Sequence, residues 1–472
     1  MKSPDSKTLG IICEDPDKRE DIIREIVYES LAALEKPDLS KHIAVSYFVC
    51  ARTISPCQVG KEIAYHMTSG VRNPPAGSLL ARCNGEVLDE IVLDSSNRAG
   101  IVRVAFPLEM LLDESGKLYT TDIFHIAAGE GAFGLTENAD IKLVKVEMSD
   151  ETLKLFPGPA YGAGGVRKIT GFGDDETAFG TILKPCTGIT PSEEYEIIRH
   201  AVSNPMFIFV KEDENFLPGV RFAPLRERLK SAVKALNDGV SSRNGKGVIY
   251  APHITSNPGI LAENVKAAVD SGVNGVMLSE YFTGGSYRFV REMTKNLSAP
   301  PAIYGHNGGI SVRTRHIYRE VIDLFARLDG VDFRQTAPLT KGAGLLRPYG
   351  LEWRECEKAL SGNLAGIPAV MMARAGGLDQ GNIIPNLLDV EKGAGVKNYL
   401  FLAGSAINGI KNKDGVFDPS LGAEAMKQAL EVYRTGIFDS IDDYNVADLK
   451  SVAVSKGFDA LKTALSQRYK DI

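Results

Sequence analysis

The chain has no Cys-x-x-Cys pair. Its six cysteines, Cys13, Cys50, Cys57, Cys83, Cys186 and Cys356, are scattered along 472 residues. That spacing argues against a zinc knuckle or a disulfide framework and favours a reduced, cytoplasmic setting. There is no excess of positive charge: 54 Lys and Arg stand against 60 Asp and Glu, a formal net charge of −6. Nucleic acid is therefore not an expected partner. No apolar run is long enough to cross a bilayer. The opening MKSPDSKTLG has no apolar core behind its lysine, so neither a membrane segment nor a secretory signal is expected. The remainder, 44% hydrophobic and 24% charged, describes an ordinary globular chain. Its length exceeds one ordinary core and points to two domains, or to a large barrel with an added domain.

The first 154 residues mix elements. DIIREIVYESLAAL (21–34) has helical spacing and KHIAVSYFVC (41–50) alternates like a strand, while the stretch from SLLARCNGEV to VRVAFPLE reads as two or three strands joined by turns. This predicts an N-terminal α+β domain over 1–154. The Pro/Gly-rich LFPGPAYGAGG (155–165) marks the boundary. Beyond it short apolar strands alternate with amphipathic helices: TAFGTILKP, PMFIFVKED, GVIYAPHIT, GVMLSEYF, PAIYGHN, DFRQTAP, AVMMARAGG and NYLFLAGS. Eight such units predict a (β/α)8 TIM barrel over 155–436, followed by a helical tail over 437–472.

Active sites of such barrels lie at the C-terminal ends of the strands. The most pointed of these ends is FIFVKEDENF (207–216), where an apolar strand runs into Lys211, Glu212, Asp213 and Glu214. Strand alternation puts Lys211 and Asp213 on one face, with Glu214 opening the loop. Two carboxylates so placed suit Mg2+, a hard cation that prefers oxygen ligands. An ammonium would repel it. The lysine is then either a salt-bridge partner without metal, or converted by CO2 to an anionic carbamate, which only a neutral amine can form.

GTILKP ending the first barrel strand and VKEDEN ending the second resemble the RuBisCO large-chain family. The likeness continues through FAPLRERL, YGHNGG, ARAGG and LAGS, with FPGPAYGAGGVRK upstream. The resemblance implies a catalytic barrel behind an N-terminal α+β domain, and Mg2+ held by Asp213, Glu214 and Lys211 as N6-carboxylysine, CO2 being required for the carbamate. It implies Lys184 as the proton shuttle at an enediolate carbon, His306 beside the substrate, and Lys341 as the mobile-loop lysine that holds a carboxylate. Gly376, Gly377 and Gly404 match a backbone cradle for phosphate, which glycine permits by letting amide N–H groups approach an anion. Gln335 falls at a substrate-binding position, and His253 becomes a candidate support behind the metal ligands. Asp122 stands where the family brings a residue in from the partner subunit, so a homodimer with shared active sites is implied.

The departures narrow the reaction. Cys186 replaces a second lysine, Asn307 an arginine, Gln335 a histidine, and Ala375 a serine. The loss of charge-assisted contacts from one phosphate site argues against a bisphosphate substrate and against CO2 fixation. Ala160, in GPAYG, removes the lysine of the diketone-phosphate enolases. The expectation is a RuBisCO-like protein that decarboxylates or hydrolytically cleaves a phosphorylated keto sugar acid, 3-oxo-isoapionate 4-phosphate being the named candidate. The alternatives are an enolase or isomerase on a methylthio-ketose phosphate, a metal-independent Schiff-base aldolase on Lys184 or Lys341, and a silent barrel with a binding role.

Overall fold

The computed structural model describes residues 16–94, 96–174, 176–280, 284–339, 351–393 and 398–470. The chain divides into two compact units. One comprises the described residues of Met1–Gly158, Gly309–Asp329 and Leu351–Ile367; the other those of Pro159–Gly308, Gly330–Gly350 and Pro368–Ile472.

In the first unit, strands β1 (His42–Ala51), β2 (Glu86–Val92), β3 (Ala99–Pro107) and β4 (Ala139–Glu147) form an antiparallel sheet ordered β2-β3-β1-β4. Its core takes Ile43, Val45, Tyr47 and Val49 from alternate positions of β1 and adds Val321, Ile322, Phe325 and Leu328 from helix Arg319–Leu328. Two strands, β2 and β3, form in the stretch read as two or three, and its opening SLLARC is the helix Leu79–Arg82. Ser78 caps it by accepting a hydrogen bond from the Ala81 N–H, and Leu79 and Leu80 are left exposed. A hydroxyl that satisfies a free helical N–H locally outweighs a short apolar run with no strand to pair with.

In the second unit, eight parallel strands appear at every place the sequence predicts them: β5 (Ala178–Ile182), β6 (Phe207–Lys211), β7 (Ile249–Ala251), β8 (Gly275–Ser279), β9 (Ala302–His306), β10 (Phe333–Thr336), β11 (Met371–Ala375) and β12 (Tyr399–Ala403). They run in the order β7-β6-β5-β12-β11-β10-β9-β8. A parallel bridge between His253 and Met277 joins the two ends, the Met277 N–H donating to the Pro252 carbonyl at 2.8 Å. The ring of strands is thus a TIM barrel preceded by a separate α+β sheet.

The barrel interior is filled rather than hollow. Phe209, Tyr304 and Phe333 meet across it with ring centroids 4.5 to 6.2 Å apart, within aromatic-pair range. Phe209 lies two residues before Lys211 and so faces the same way. The packed aromatic layer is the floor on which the charged ends of the strands stand. Helices Val446–Ser455 and Asp459–Arg468 then fold back on helix Pro419–Arg434, burying Ala425, Ala460 and Ala464 together.

Gly422 shows how closely that last layer is packed, because a Cβ there would overlap the carbonyl oxygen of Ile407. Gly422→Ala should therefore lower unfolding stability by about 1–3 kcal/mol. Urea denaturation would read this as a lower midpoint at constant slope, and an unchanged midpoint would show that the helix shifts freely.

Candidate active site

The four ionisable residues that end β6 separate onto two sides of the barrel wall. Glu212 points outward and is fully buried. It accepts hydrogen bonds from Arg228 of helix Leu225–Val240 at 2.9 Å, from the Tyr250 hydroxyl at 3.1 Å and from the His253 N–H at 2.8 Å. Burial, with the Glu212 charge adding to it, pushes the neighbouring Glu194 carboxyl up to about 9. Glu212 is thus a structural anchor with a buried cation of its own.

Lys211, Asp213 and Glu214 gather at the top. Lys211 is fully buried, and burial lowers its amine to about 8. Its ammonium donates to the Glu212 carbonyl at 3.0 Å, lies 3.8 Å from the Glu214 carboxylate, and sits 5.5 Å over the Tyr304 ring. Asp213 is engaged by Lys184 from the end of β5, Nζ to Oδ2 at 2.5 Å, and Lys184 also reaches the Cys186 sulfur at 2.9 Å. Burial works against the Lys184 charge, but the bonds to Asp213 and Cys186 outweigh it and its pKa is raised.

His306 ends β9 and lies 3.2 Å from Glu214 through Nε2. Its Nδ1 accepts the Gly308 N–H at 3.0 Å, which fixes the neutral ring with its proton on Nε2, aimed at the carboxylate. Burial favours that neutral form, with Lys211 adding to it. Burial acts to raise Glu214, yet the bond from His306 and the Lys211 charge hold it well below the usual carboxylate range.

The structure therefore brings together Lys184, Lys211, Asp213, Glu214 and His306, and sets His253 beside them. Buried His253 is lowered to about 4, chiefly by desolvation. Its Nδ1 faces the Phe216 carbonyl at 3.3 Å, and its buried Nε2 has no hydrogen-bond partner. Gln335, on β10, is buried and its Oε1 accepts from the Tyr304 hydroxyl at 2.8 Å. Gly376 and Gly377 follow β11 with φ of 95° and 89°, the left-handed region in which glycine is at home. Gly404 follows β12. A Cβ on it would stand 3.2 Å from the Lys184 Cε, so its bareness makes room for that side chain. Asp122 lies in the first unit, exposed in the first turn of helix Thr120–Ala128. Lys341 lies outside the described residues.

Sequence reasoning missed Arg228, Tyr250 and Tyr304. Alternation along β6 carried the signal for the first two, since it turns Glu212 outward, where a buried acid needs a cation. Among the described residues, no three His, Cys, Asp or Glu side chains are grouped as a metal would require. Asp213 and Glu214 give two carboxylates, and a third anionic oxygen donor arises only with Lys211 as its carbamate. With that change the set consists of hard oxygen ligands and fits Mg2+.

No family model matches the chain. It is 27% identical over 373 residues to a ribulose bisphosphate carboxylase of Thermococcus kodakarensis, covering 74% of this chain and 78% of that one. It is 28% identical over 237 residues to a 3-oxo-isoapionate-4-phosphate decarboxylase of Rhizobium etli, covering 49% of this chain and 53%, about half, of that relative. Among solved structures, a RuBisCO-like protein from Burkholderia fungorum matches at a TM-score of 0.72 and 20% identity, over 90% of this chain and 100% of that one, a likeness of fold.

The buried pair of Arg228 and Glu212 gives a test independent of activity. Arg228→Leu strands a desolvated carboxylate and should cost about 3–5 kcal/mol. Adding Glu212→Gln should recover most of that loss, since the stranded charge is gone. Equal stabilities for the single and double variants would show that the two residues are not coupled.

Proposed function

Taking the chain as a RuBisCO-like protein, as its relatives and its fold support, we propose that it cleaves a carbon–carbon bond in a phosphorylated keto sugar acid. The favoured reading is decarboxylation of 3-oxo-isoapionate 4-phosphate or hydrolytic cleavage of it, the first being the activity named for the Rhizobium etli relative. The observation that carries it is the top of the barrel itself. A fully buried lysine of lowered basicity stands beside two carboxylates, and a second, firmly cationic lysine reaches in from the neighbouring strand.

Lys211 as its carbamate, Asp213 and Glu214 would hold Mg2+. When bound, the ion supplies Lewis-acid stabilisation of developing oxyanions. The chain's own residues do the rest. The bond between the carboxylate and the carbon next to the ketone breaks and leaves its electron pair on that carbon as CO2 departs. Lys184 gives a proton from Nζ to the carbon, a role suited to a lysine held in its protonated form by Asp213. His306, neutral and with Nε2–H toward the site, donates to substrate oxygen or to Glu214. The amides around Gly376 and Gly377, with Gly404, receive the phosphate, and Lys341 holds the departing carboxyl group. Asp122 would enter from the partner of a homodimer.

The chemistry of the departures supports this reading over CO2 fixation. Asn307 and Gln335 replace a cationic arginine and a histidine, so the charge-assisted contacts that a second phosphate would draw on are lost. The raised pKa of Lys184 also disfavours it as the free amine of a Schiff-base aldolase.

Carbon-13 NMR of carboxyl-labelled 3-oxo-isoapionate 4-phosphate, with enzyme, Mg2+ and bicarbonate, tests the reaction. Label released as CO2 or bicarbonate establishes the decarboxylase, and label in glycolate the hydrolytic variant. Label left in place would refute the substrate assignment. Lys211→Ala should abolish turnover and also the carbamate resonance seen when the enzyme is given labelled CO2. Lys184→Met should cut turnover by about 10²–10⁴-fold while leaving that resonance intact.

A further inference from the structure

The end of the chain is fastened to the loop that follows β11. Asp379 stands two residues beyond Gly377, nearly buried, and works in two directions. Toward its own loop, Oδ1 accepts the N–H groups of Gly381 at 2.8 Å and Asn382 at 3.1 Å. Asn382 closes the same turn, receiving the Asp379 N–H at 2.8 Å and donating from its side chain to the Gly377 carbonyl at 2.7 Å. Toward the C-terminal helix, the Asp379 carboxylate accepts from the Tyr469 hydroxyl at 2.8 Å and from Arg468 Nε at 3.2 Å. A second phenol, Tyr444, donates to the Gly381 carbonyl.

Gly381 shows that the docking is built in. A Cβ at that position would overlap the Tyr469 ring, so the backbone and the ring meet in the space a side chain would occupy. Burial and the nearby Asp379 charge raise the hydroxyl pKa of both Tyr444 and Tyr469, so each phenol stays protonated as a donor. Arg468 adds an electrostatic reason for the contact. A bare carboxylate two residues from an anion-binding turn would repel the anion, and the guanidinium cancels it.

We propose that Asp379, Arg468 and Tyr469 are positioning residues for the substrate phosphate. The C-terminal helix holds Asp379, Asp379 and Asn382 hold the turn, and the turn fixes the direction in which the Gly376 and Gly377 amides point. This inference rests on the reading of those glycines as the phosphate seat. It makes the last helix part of the binding machinery, so changes near the end of the chain act on substrate affinity.

The test uses the full chain with inorganic phosphate as the probe, and with phosphorylated substrate for kinetics. Wild type should bind phosphate by titration calorimetry and show slowed amide exchange across residues 376–382. Tyr469→Phe keeps the ring and removes only the bond to Asp379, and Asn382→Ala removes the two side-chain bonds that close the turn without changing any charge. Each should weaken phosphate by about tenfold, a size ordinary for residues that act on a site through others. KM for the phosphorylated substrate should rise by the same factor, with kcat and the Lys211 carbamate resonance unchanged. Arg468→Gln should weaken phosphate most at low ionic strength and less at high, because salt screens the uncovered Asp379 charge. Tyr195→Phe removes a comparable phenol–carboxylate bond, to Asp238 at 2.6 Å, and should change none of these readings. Variants that bind phosphate as tightly as wild type, or that lose the carbamate resonance together with phosphate affinity, would overturn the proposal. A wild type that binds no phosphate would overturn the phosphate seat first, and this inference with it.

Discussion

A lysine held entirely out of water is the constraint on which the upper face of the barrel depends. Removing an ammonium from water costs several kcal/mol even after the protein relaxes, roughly the whole stability margin of a small domain. Lys211 is tolerated there because its surroundings answer it from every side. A main-chain carbonyl accepts its proton, the Glu214 carboxylate lies within Coulombic reach, and the Tyr304 ring supports it from below. The acids need answers in turn. Glu212 is matched with Arg228 outside the strands, Asp213 with Lys184 from the next strand, and Glu214 with His306 across the barrel mouth. The Glu212–Arg228 pair is the one buried at both ends, and loss of Arg228 would leave a desolvated carboxylate alone.

Parallel strands make such an arrangement possible because they deliver their ends side by side. Lys184 follows β5 and Lys211 ends β6, neighbouring strands in which Ile182 lies opposite Lys211. His306 ends β9, three strands further round on the other side of β7 and β8. Residues far apart in sequence converge without any long loop to place them. The aromatic layer of Phe209, Tyr304 and Phe333 keeps the strands at fixed spacing beneath them, so the charged groups stand on a rigid floor.

The eight strands were legible because each is a short apolar run ending in polar residues, repeated with helical spacing between. The residues at the top were legible for the same reason, since a barrel announces where its strand ends lie. Pairings between distant elements were not. Nothing local in LRERL says that Arg228 meets Glu212, and nothing in QRYK says that Arg468 and Tyr469 reach Asp379. Those contacts exist only once the chain has closed on itself. Ser78 shows the opposite limit: a purely local capping hydroxyl opens a short helix where a third strand was one of the readings. Periodicity alone weighs the apolar residues and overlooks the one that satisfies the backbone.

Charge balance links the buried lysine to the proposed chemistry. With Lys211 as its ammonium, Lys184 and Lys211 supply two cations and Asp213 and Glu214 two anions, a self-neutralising set. Addition of CO2 to Lys211 would replace a cation by an anion, leaving one cation against three anions. That excess of two negative charges equals the charge of one Mg2+, so each change would make room for the other. The lowered basicity of Lys211 sets the threshold, because only its neutral amine reacts with CO2. Cys186 matters to the same balance. A second lysine at that position would add a cation and shift the neutral point, whereas a thiol contacts Lys184 at 2.9 Å without adding one. A site so balanced would still keep Lys184 as a cation beside the ion.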